Sequence, residues 1–119
     1  MIKKEVIPAI GCTEPIAVAL AAAKAAEVLG KSGVKNVVIT MGSVGAIAFA
    51  GEETVLAKAY KVNAIDTTAA GDTFVGVMAT RLSEGATLEE AMTFANKASA
   101  VTVTRKGAQQ AIPCRNEIV

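Results

Sequence analysis

Blocks of apolar positions punctuated by glycine and polar turns set the outline of the chain. Residues 5–10, EVIPAI, are apolar but interrupted by Pro8, which predicts a short edge strand or an extended arm. Gly11-Cys12-Thr13-Glu14-Pro15 reads as a helix start. Thr13 offers an N-cap oxygen, Glu14 suits the positive end of the helix dipole, and Pro15 is tolerated in the first turn. That helix is expected to run to about Leu29 and to stop at Gly30. The run 36–41, NVVITM, is continuous, apolar and β-branched, the mark of a buried parallel strand. After Gly42-Ser43-Val44-Gly45 a second strand is predicted over 46–50. Gly51-Glu52-Glu53 then turns the chain, and 54–58 pairs back as a hairpin.

Two helical patterns fill most of the remainder. One is expected from about Ala70 to Leu82, ending at Ser83-Glu84-Gly85. The next opens at Thr87, with Glu90 three residues on as a capping box, and reaches about Val103. Residues 106–113 read as a loop, and the tail is expected to add a short strand. The fold class is α/β: part of an open sheet with helices packed on it, as a single domain over 1–119 without a repeat, linker or low-complexity tract. In such folds ligands lie at the carboxyl ends of strands. The turn 42–45 and the loop 66–74 both follow strands, so they are expected to line one cleft.

Composition narrows the chemistry. The chain has 52% hydrophobic residues but only 3% aromatic, so its core must be built from small side chains packed closely. A net charge of +1, one Tyr and no Trp give no reason to expect nucleic acid or an acidic membrane as partner. The absence of His removes histidine general-base chemistry and His-ligated zinc. Two cysteines, Cys12 and Cys114, make no disulfide framework, which fits a reduced, cytoplasmic setting. The charged start Lys3-Lys4-Glu5 is not followed by a small-residue cleavage site, and the longest apolar run, 16–23, is short of the roughly 20 residues of a membrane span.

The stretch with the most chemical content is Asp66-Thr67-Thr68-Ala69-Ala70-Gly71-Asp72-Thr73-Phe74. Small residues and Gly71 let the backbone turn sharply and approach a ligand. The helix that opens here presents free N–H groups and a positive dipole end, a ready anion site. Asp72 stands where its carboxylate could take a proton from a hydroxyl held beside that anion. This combination suits phosphoryl transfer. The plainer alternative is a strand–turn–helix junction in which Asp72 is only a favourable N-terminal charge.

DTTAAGDTFVG resembles a signature of the PfkB family of sugar and nucleoside kinases, the ribokinase-like proteins. The resemblance continues through FANKASAVTVTRKGAQQAIPCRNEI, begins at VKNVVITMGSVGA, and covers about 31–119. It implies the C-terminal, ATP-binding portion of a ribokinase-like (Rossmann-like) fold and, by descent, transfer of a phosphoryl group from ATP to a sugar hydroxyl. It implies Asp72 as catalytic base and Ala69, Ala70 and Gly71 as the anion hole. Thr40, Gly42, Gly45 and Asn96 correspond to nucleotide-binding positions. Asp66 and Thr68 correspond to a monovalent cation site, with carbonyls from about Val103 to Ala108 completing it. Ala111 stands where a Ser hydroxyl often contributes. The implied cofactors are ATP with Mg, and K+ as the cation.

A second stretch, PAIGCTEPIAVALAAAKAAEVLG, is similar to a segment of the L-cysteine desulfidase and serine dehydratase alpha-like proteins. There the Cys of CTEP is linked to an iron–sulfur cluster, which would point to Cys12; the other cluster cysteines are missing here. A chimera joined within a shared helix, with 1–30 of different ancestry from 31–119, accounts for both resemblances. The sugar-binding half of a ribokinase is absent from the sequence, so little or no kinase activity is expected of this chain alone. The alternative is a catalytically inactive, self-assembling fragment. A bare β-branched edge and the apolar positions Ile16, Val18 and Leu20 predict a homo-oligomer with residues 6–29 in its interface.

Overall fold

A computed structural model describes residues 15–119, with side chains from Leu20 onward. The expected arm at 5–10, the cap at Thr13 and the surroundings of Cys12 lie outside the described residues. Helix α1 spans Pro15–Lys31, and strands β1 (Asn36–Thr40), β2 (Gly45–Ala50) and β3 (Glu53–Lys58) follow it. Helices α2 (Ala70–Ser83) and α3 (Leu88–Val103) come next, and short 3-10 turns occupy the tail.

The three strands form one sheet in the order β1-β2-β3, antiparallel throughout. This corrects the parallel strand expected at 36–41. β1 and β2 are joined only by a tight 3-10 turn over Gly42–Val44. A connection that short can return the chain only antiparallel, since a parallel pair needs a crossover of a dozen or more residues. The register pairs Thr40 with Ala46 and Asn36 with Ala50, then Gly45 with Lys58 and Ala50 with Glu53. The hairpin β2–β3 stands where its sequence pattern put it.

Alternation along β2 separates two faces. Ala46 and Ala48 are fully buried and join Ala57, Phe74, Met92 and Ala95 in the core, flanked by Val38, Val55, Val77, Met78 and Leu88. Alanines on the strands and on α3 allow that helix to lie close against the sheet. α2 packs along α3 and sends Phe74, from its first turn, into the same cluster. On the opposite face, Val37 and Phe49 look toward Ala23 and Ala26 of α1 across a cavity of about 720 Å³. The result is a small antiparallel sheet with three helices, a partial α/β domain.

Helix ends follow local chemistry. α1 runs through Gly30, and the left-handed residue that follows it is Gly33, with φ of +87°, so the stop lies later than expected. At α3 the capping box is complete: Glu90 N–H donates to Thr87 Oγ1 at 3.2 Å, and Thr87 N–H donates to Glu90 Oε2 at 2.9 Å. The tail forms 3-10 turns at Gln109–Ala111 and Arg115–Glu117 where a strand was expected. It is tied down by ion pairs. Arg115 donates two hydrogen bonds to Glu84 at 2.6 and 2.9 Å, and Arg105 donates one to Glu117 at 2.7 Å. Each guanidinium holds its partner carboxyl below the usual range.

Candidate functional site

The loop 65–69 delivers the chain to α2 and is held from the far side by the end of α3. Ile65 and Asp66 both donate their N–H to the Val103 carbonyl, at 2.7 and 3.2 Å. Asp66 closes an Asx turn: its Oδ1 accepts from the Thr68 hydroxyl and from Thr68 N–H, the latter at 3.0 Å. Oδ2 accepts from Gly107 N–H at 3.0 Å, across 41 residues of sequence. These donors, the Thr68 hydroxyl first, stabilise the ionised carboxylate and lower its pKa to about 2. Asp66 thus clasps the loop before α2 to the loop after α3.

Beyond the clasp, the chain enters α2 without a side-chain cap. Ala70 N–H reaches the Thr67 carbonyl at 3.2 Å and Thr73 N–H reaches that of Ala69 at 2.9 Å. The N–H groups between them, of Gly71 and Asp72, find no acceptor among the described residues. Ala69 is buried and Ala70 half-buried, whereas Gly71 and Asp72 are exposed. Gly71 does not have positive φ, which corrects the expectation of a sharp glycine-dependent bend. Its backbone is ordinary helix, and a Cβ built there would meet nothing within 4 Å. The turn therefore presents two unpaired N–H donors and a carboxylate toward open space, at the positive end of a 14-residue helix.

The glycine turn 42–45 lies at the same end of the sheet. Gly45 begins β2 opposite Lys58, and its neighbour Ala46 shares the buried cluster with Phe74 of α2. Thr40 and Gly42 are exposed at the end of β1. Gly42 and Gly45 carry φ of +55° and +124°. The two turns singled out in the sequence are thus brought to one end of the molecule. Asn96 stands beside the first of them, at the strand end opposite Gly45, and three residues before Ser99, which reaches Ala70 at the second. It is 7% exposed, and its Nδ2 donates to the carbonyls of Ala57 at 2.9 Å and Lys58 at 3.2 Å. Both amide protons are spent joining α3 to the end of β3, which leaves its Oδ1 as the only atom for a ligand. The adjacent face of α3, at Lys97, Ala100, Val101 and Thr104, instead lines an open groove of about 250 Å³ with Tyr60, Val62 and Val119. Lys97 Nζ sits 5.8 Å from the Tyr60 ring centre.

A hydroxyl network behind α2 escaped the sequence reading. Ser99 Oγ donates to the Ala70 carbonyl at 3.0 Å, Thr73 Oγ1 donates to that of Ala69 at 2.8 Å, and Thr102 Oγ1 donates to Thr73 Oγ1 at 3.1 Å. The available signal was the placing of hydroxyls on the α3 face that carries Ala91, Ala95 and Ala98, where an apolar residue would serve packing alone.

The sequence profile described as pfkB family carbohydrate kinase matches residues 12–115, which takes in α1. A ribokinase of Haemophilus influenzae is 45% identical over 96 residues, and that of Staphylococcus aureus is 47% identical over 87 residues. These alignments cover 81% and 72% of this chain but 31% and 29% of the relatives, so the chain spans less than a third of their length. Among solved structures, the ribokinase of Thermotoga maritima superposes with a TM-score of 0.76 at 47% identity, covering 80% of this chain and 32% of that one. Arabidopsis thaliana ribokinase, complexed with ribose and ATP, superposes with a TM-score of 0.77 at 35% identity, covering 81% and 31%.

Proposed function

Since the chain belongs to the pfkB family of carbohydrate kinases, we propose that it is the ATP-binding, C-terminal portion of a ribokinase-like sugar kinase. The observation that carries this reading is the start of α2, where two unpaired N–H groups and Asp72 face open space. In this reading Gly71 and Asp72 N–H take up the charge on the transferred phosphoryl group, and the small side chains of Ala69 and Ala70 leave room for it. Asp72 accepts the proton of the attacking sugar hydroxyl. Thr40, Gly42 and Gly45 border the nucleotide phosphates. The base then lies along α3, where the Tyr60 and Lys97 groove offers more contact than the buried amide of Asn96.

ATP brings Mg on its own phosphate oxygens, and no group of three or more His, Cys, Asp or Glu that could hold a metal ion occurs among the described residues. For a K+ ion, the Thr68 hydroxyl and the carbonyls near 103–108 are oxygen donors of the right kind. Asp66 fits less well, because three of its acceptor positions are already filled by Thr68 and Gly107. The reading implies a nucleotide and a sugar as partners and a cytoplasmic setting; no described helix is long and apolar enough to cross a membrane.

Holding both reactants in line is a large part of phosphoryl-transfer catalysis. The rate expected of this chain alone is therefore small or nil, while nucleotide binding is retained. Calorimetric titration with ADP–Mg tests the reading. We expect saturable binding that Asp72→Asn leaves within about twofold. Any ATP-dependent phosphorylation of added ribose should fall at least about 100-fold in that variant, the range of a general base. Absence of nucleotide binding by the wild type would overturn the reading.

A second reading, a catalytically inactive chain that assembles with itself, is favoured by the sheet. β1 and β3 each keep one edge unpaired among the described residues, and Leu20 and Leu56 are 68% and 54% exposed. Sedimentation equilibrium at micromolar concentration separates the two: self-assembly predicts a dimer or larger, and a stable 12.1 kDa monomer rules it out.

A further inference from the structure

Each peptide unit is planar, with its C=O and the following N–H pointing in opposite directions. A group that fixes the Ala70 carbonyl therefore also fixes the direction of Gly71 N–H. Ser99 does this from the adjacent helix, donating to the Ala70 carbonyl at 3.0 Å. The preceding peptide is fixed in the same manner. Thr73 gives its hydroxyl proton to the Ala69 carbonyl at 2.8 Å, which leaves the Thr73 oxygen free to accept from Thr102 at 3.1 Å. Thr102 also lies 3.1 Å from the Ala98 carbonyl, but its single proton can serve only one of the two acceptors. Ser99 and Thr102 are three residues apart, so they occupy one face of α3, the face that meets α2. Thr73 and Thr102 are buried at 2% and 0% exposure, where a hydroxyl without a partner is costly. Simple packing of α2 on α3 could be met by alanine or valine at these places.

We propose that Ser99 is a positioning residue that aims Gly71 N–H at the transferred phosphoryl group, with the Thr102–Thr73 pair steadying the peptide before it. The inference rests on the reading of the α2 start as an anion site. Ser99 touches no reacting atom; it acts through the Ala70–Gly71 peptide. A donor already aimed when the ligand arrives needs no reorganisation, and an electrostatic site depends on that.

The test compares Ser99→Ala, Ser99→Thr and Ser83→Ala by calorimetry with a non-hydrolysable ATP analogue and Mg, thermal melting and ¹⁵N relaxation of the ligand-free chain. Ser83 Oγ donates to the Thr80 carbonyl at 2.7 Å, the same kind of bond at the far end of α2. Alanine is the better helix former, so Ser99→Ala is expected to fold. It should weaken binding of the ATP analogue about fivefold, the equivalent of one ordinary hydrogen bond, and raise the mobility of Gly71 N–H. Ser99→Thr, which keeps a hydroxyl, should restore both. Ser83→Ala should leave affinity for the analogue unchanged. If Ser99→Ala does not fold, Thr102→Val, which keeps the side-chain shape, carries the same comparison with Thr102→Ser as its rescue. Unchanged affinity in a folded Ser99→Ala, or an equal loss in Ser83→Ala, overturns the positioning role alone. A wild type that does not bind the ATP analogue overturns the anion-site reading and this inference with it.

Discussion

Gly45 and Gly71 stand at the same end of the molecule in the two turns that the sequence marks, yet glycine is there for opposite reasons. At Gly45 φ is +124°, and a Cβ would lie 2.1 Å from the Ala57 carbonyl oxygen and 2.7 Å from Ala59 N. β3 passes so close that the fold itself excludes a side chain. At Gly71 the backbone is helical and the space beside it is empty. Nothing among the described residues asks for glycine at Gly71, and alanine would be the better helix former there. In the proposed reading, a residue that costs helix stability, stands beside N–H groups without an acceptor and faces open space is placed for a ligand from outside the chain. The same residue type is thus an internal requirement in one turn and an opening in the other, and only the contacts of the missing side chain distinguish them.

Substituting both glycines tests that distinction most strongly. Gly45→Ala should cost at least about 3 kcal/mol, because left-handed strain and a clash with backbone act together. Its urea midpoint should fall accordingly, or the chain should not fold. Gly71→Ala should hold or raise the midpoint, by up to about 1 kcal/mol. The same variant should weaken binding of a non-hydrolysable ATP analogue with Mg at least about tenfold, as a Cβ intrudes on a charge-assisted hydrogen bond. Equal stability losses at the two positions would erase the contrast. So would a Gly71→Ala that binds nucleotide as the wild type does.

The two regions also differ in how much of them the sequence disclosed. Local chemistry was legible: the capping box at Thr87 and Glu90, the hairpin turn at Gly51, and the limits of α2 and α3 all depend on residues within a few positions of one another. The 36–41 run misled because a β-branched strip specifies a buried strand but not its direction. The four-residue link to Gly45 should have outweighed it, as only an antiparallel return fits. Asn96 was out of reach for a different reason. Its partners, the carbonyls of Ala57 and Lys58, lie 39 and 38 residues away, and no local pattern announces an amide buried under a strand end. The bond between Ser99 and Ala70, 29 residues apart, is of the same kind. The turn at 69–72 stands out as a motif because the residues proposed to act there are consecutive, while the parts that hold it in place come from elsewhere in the chain.

The smallest effect expected concerns the clasp that joins the loop before α2 to the loop after α3. Asp66 receives Thr68 and Gly107 as a carboxylate, and its pKa is lowered from 3.8 to about 2. A depressed folded-state pKa contributes stability that is present above the unfolded value and is lost as pH falls through the folded one. The contribution of Asp66 should therefore persist at neutral pH and disappear between about pH 4 and pH 2. Glu27, Glu84, Glu90 and Glu117 are shifted in the same direction by their own partners, so the acid limb of the wild type is not due to Asp66 alone. The difference from Asp66→Asn isolates it. In that variant one carboxylate oxygen is replaced by an NH2 group. The oxygen that remains can still accept from Thr68, but the NH2 would face Gly107 N–H, donor against donor. Urea midpoints of wild type and Asp66→Asn, measured at pH 7, 4 and 2.5, should show a gap that is widest at pH 7 and narrows toward pH 2.5. Nucleotide affinity at pH 7 should drop only modestly, because the clasp holds the loop before α2 and not the N–H groups themselves. A gap that stays constant over the whole pH range would mean that the negative charge of Asp66 is not what Thr68 and Gly107 bind, and that the two loops are held together by the Val103 carbonyl without it.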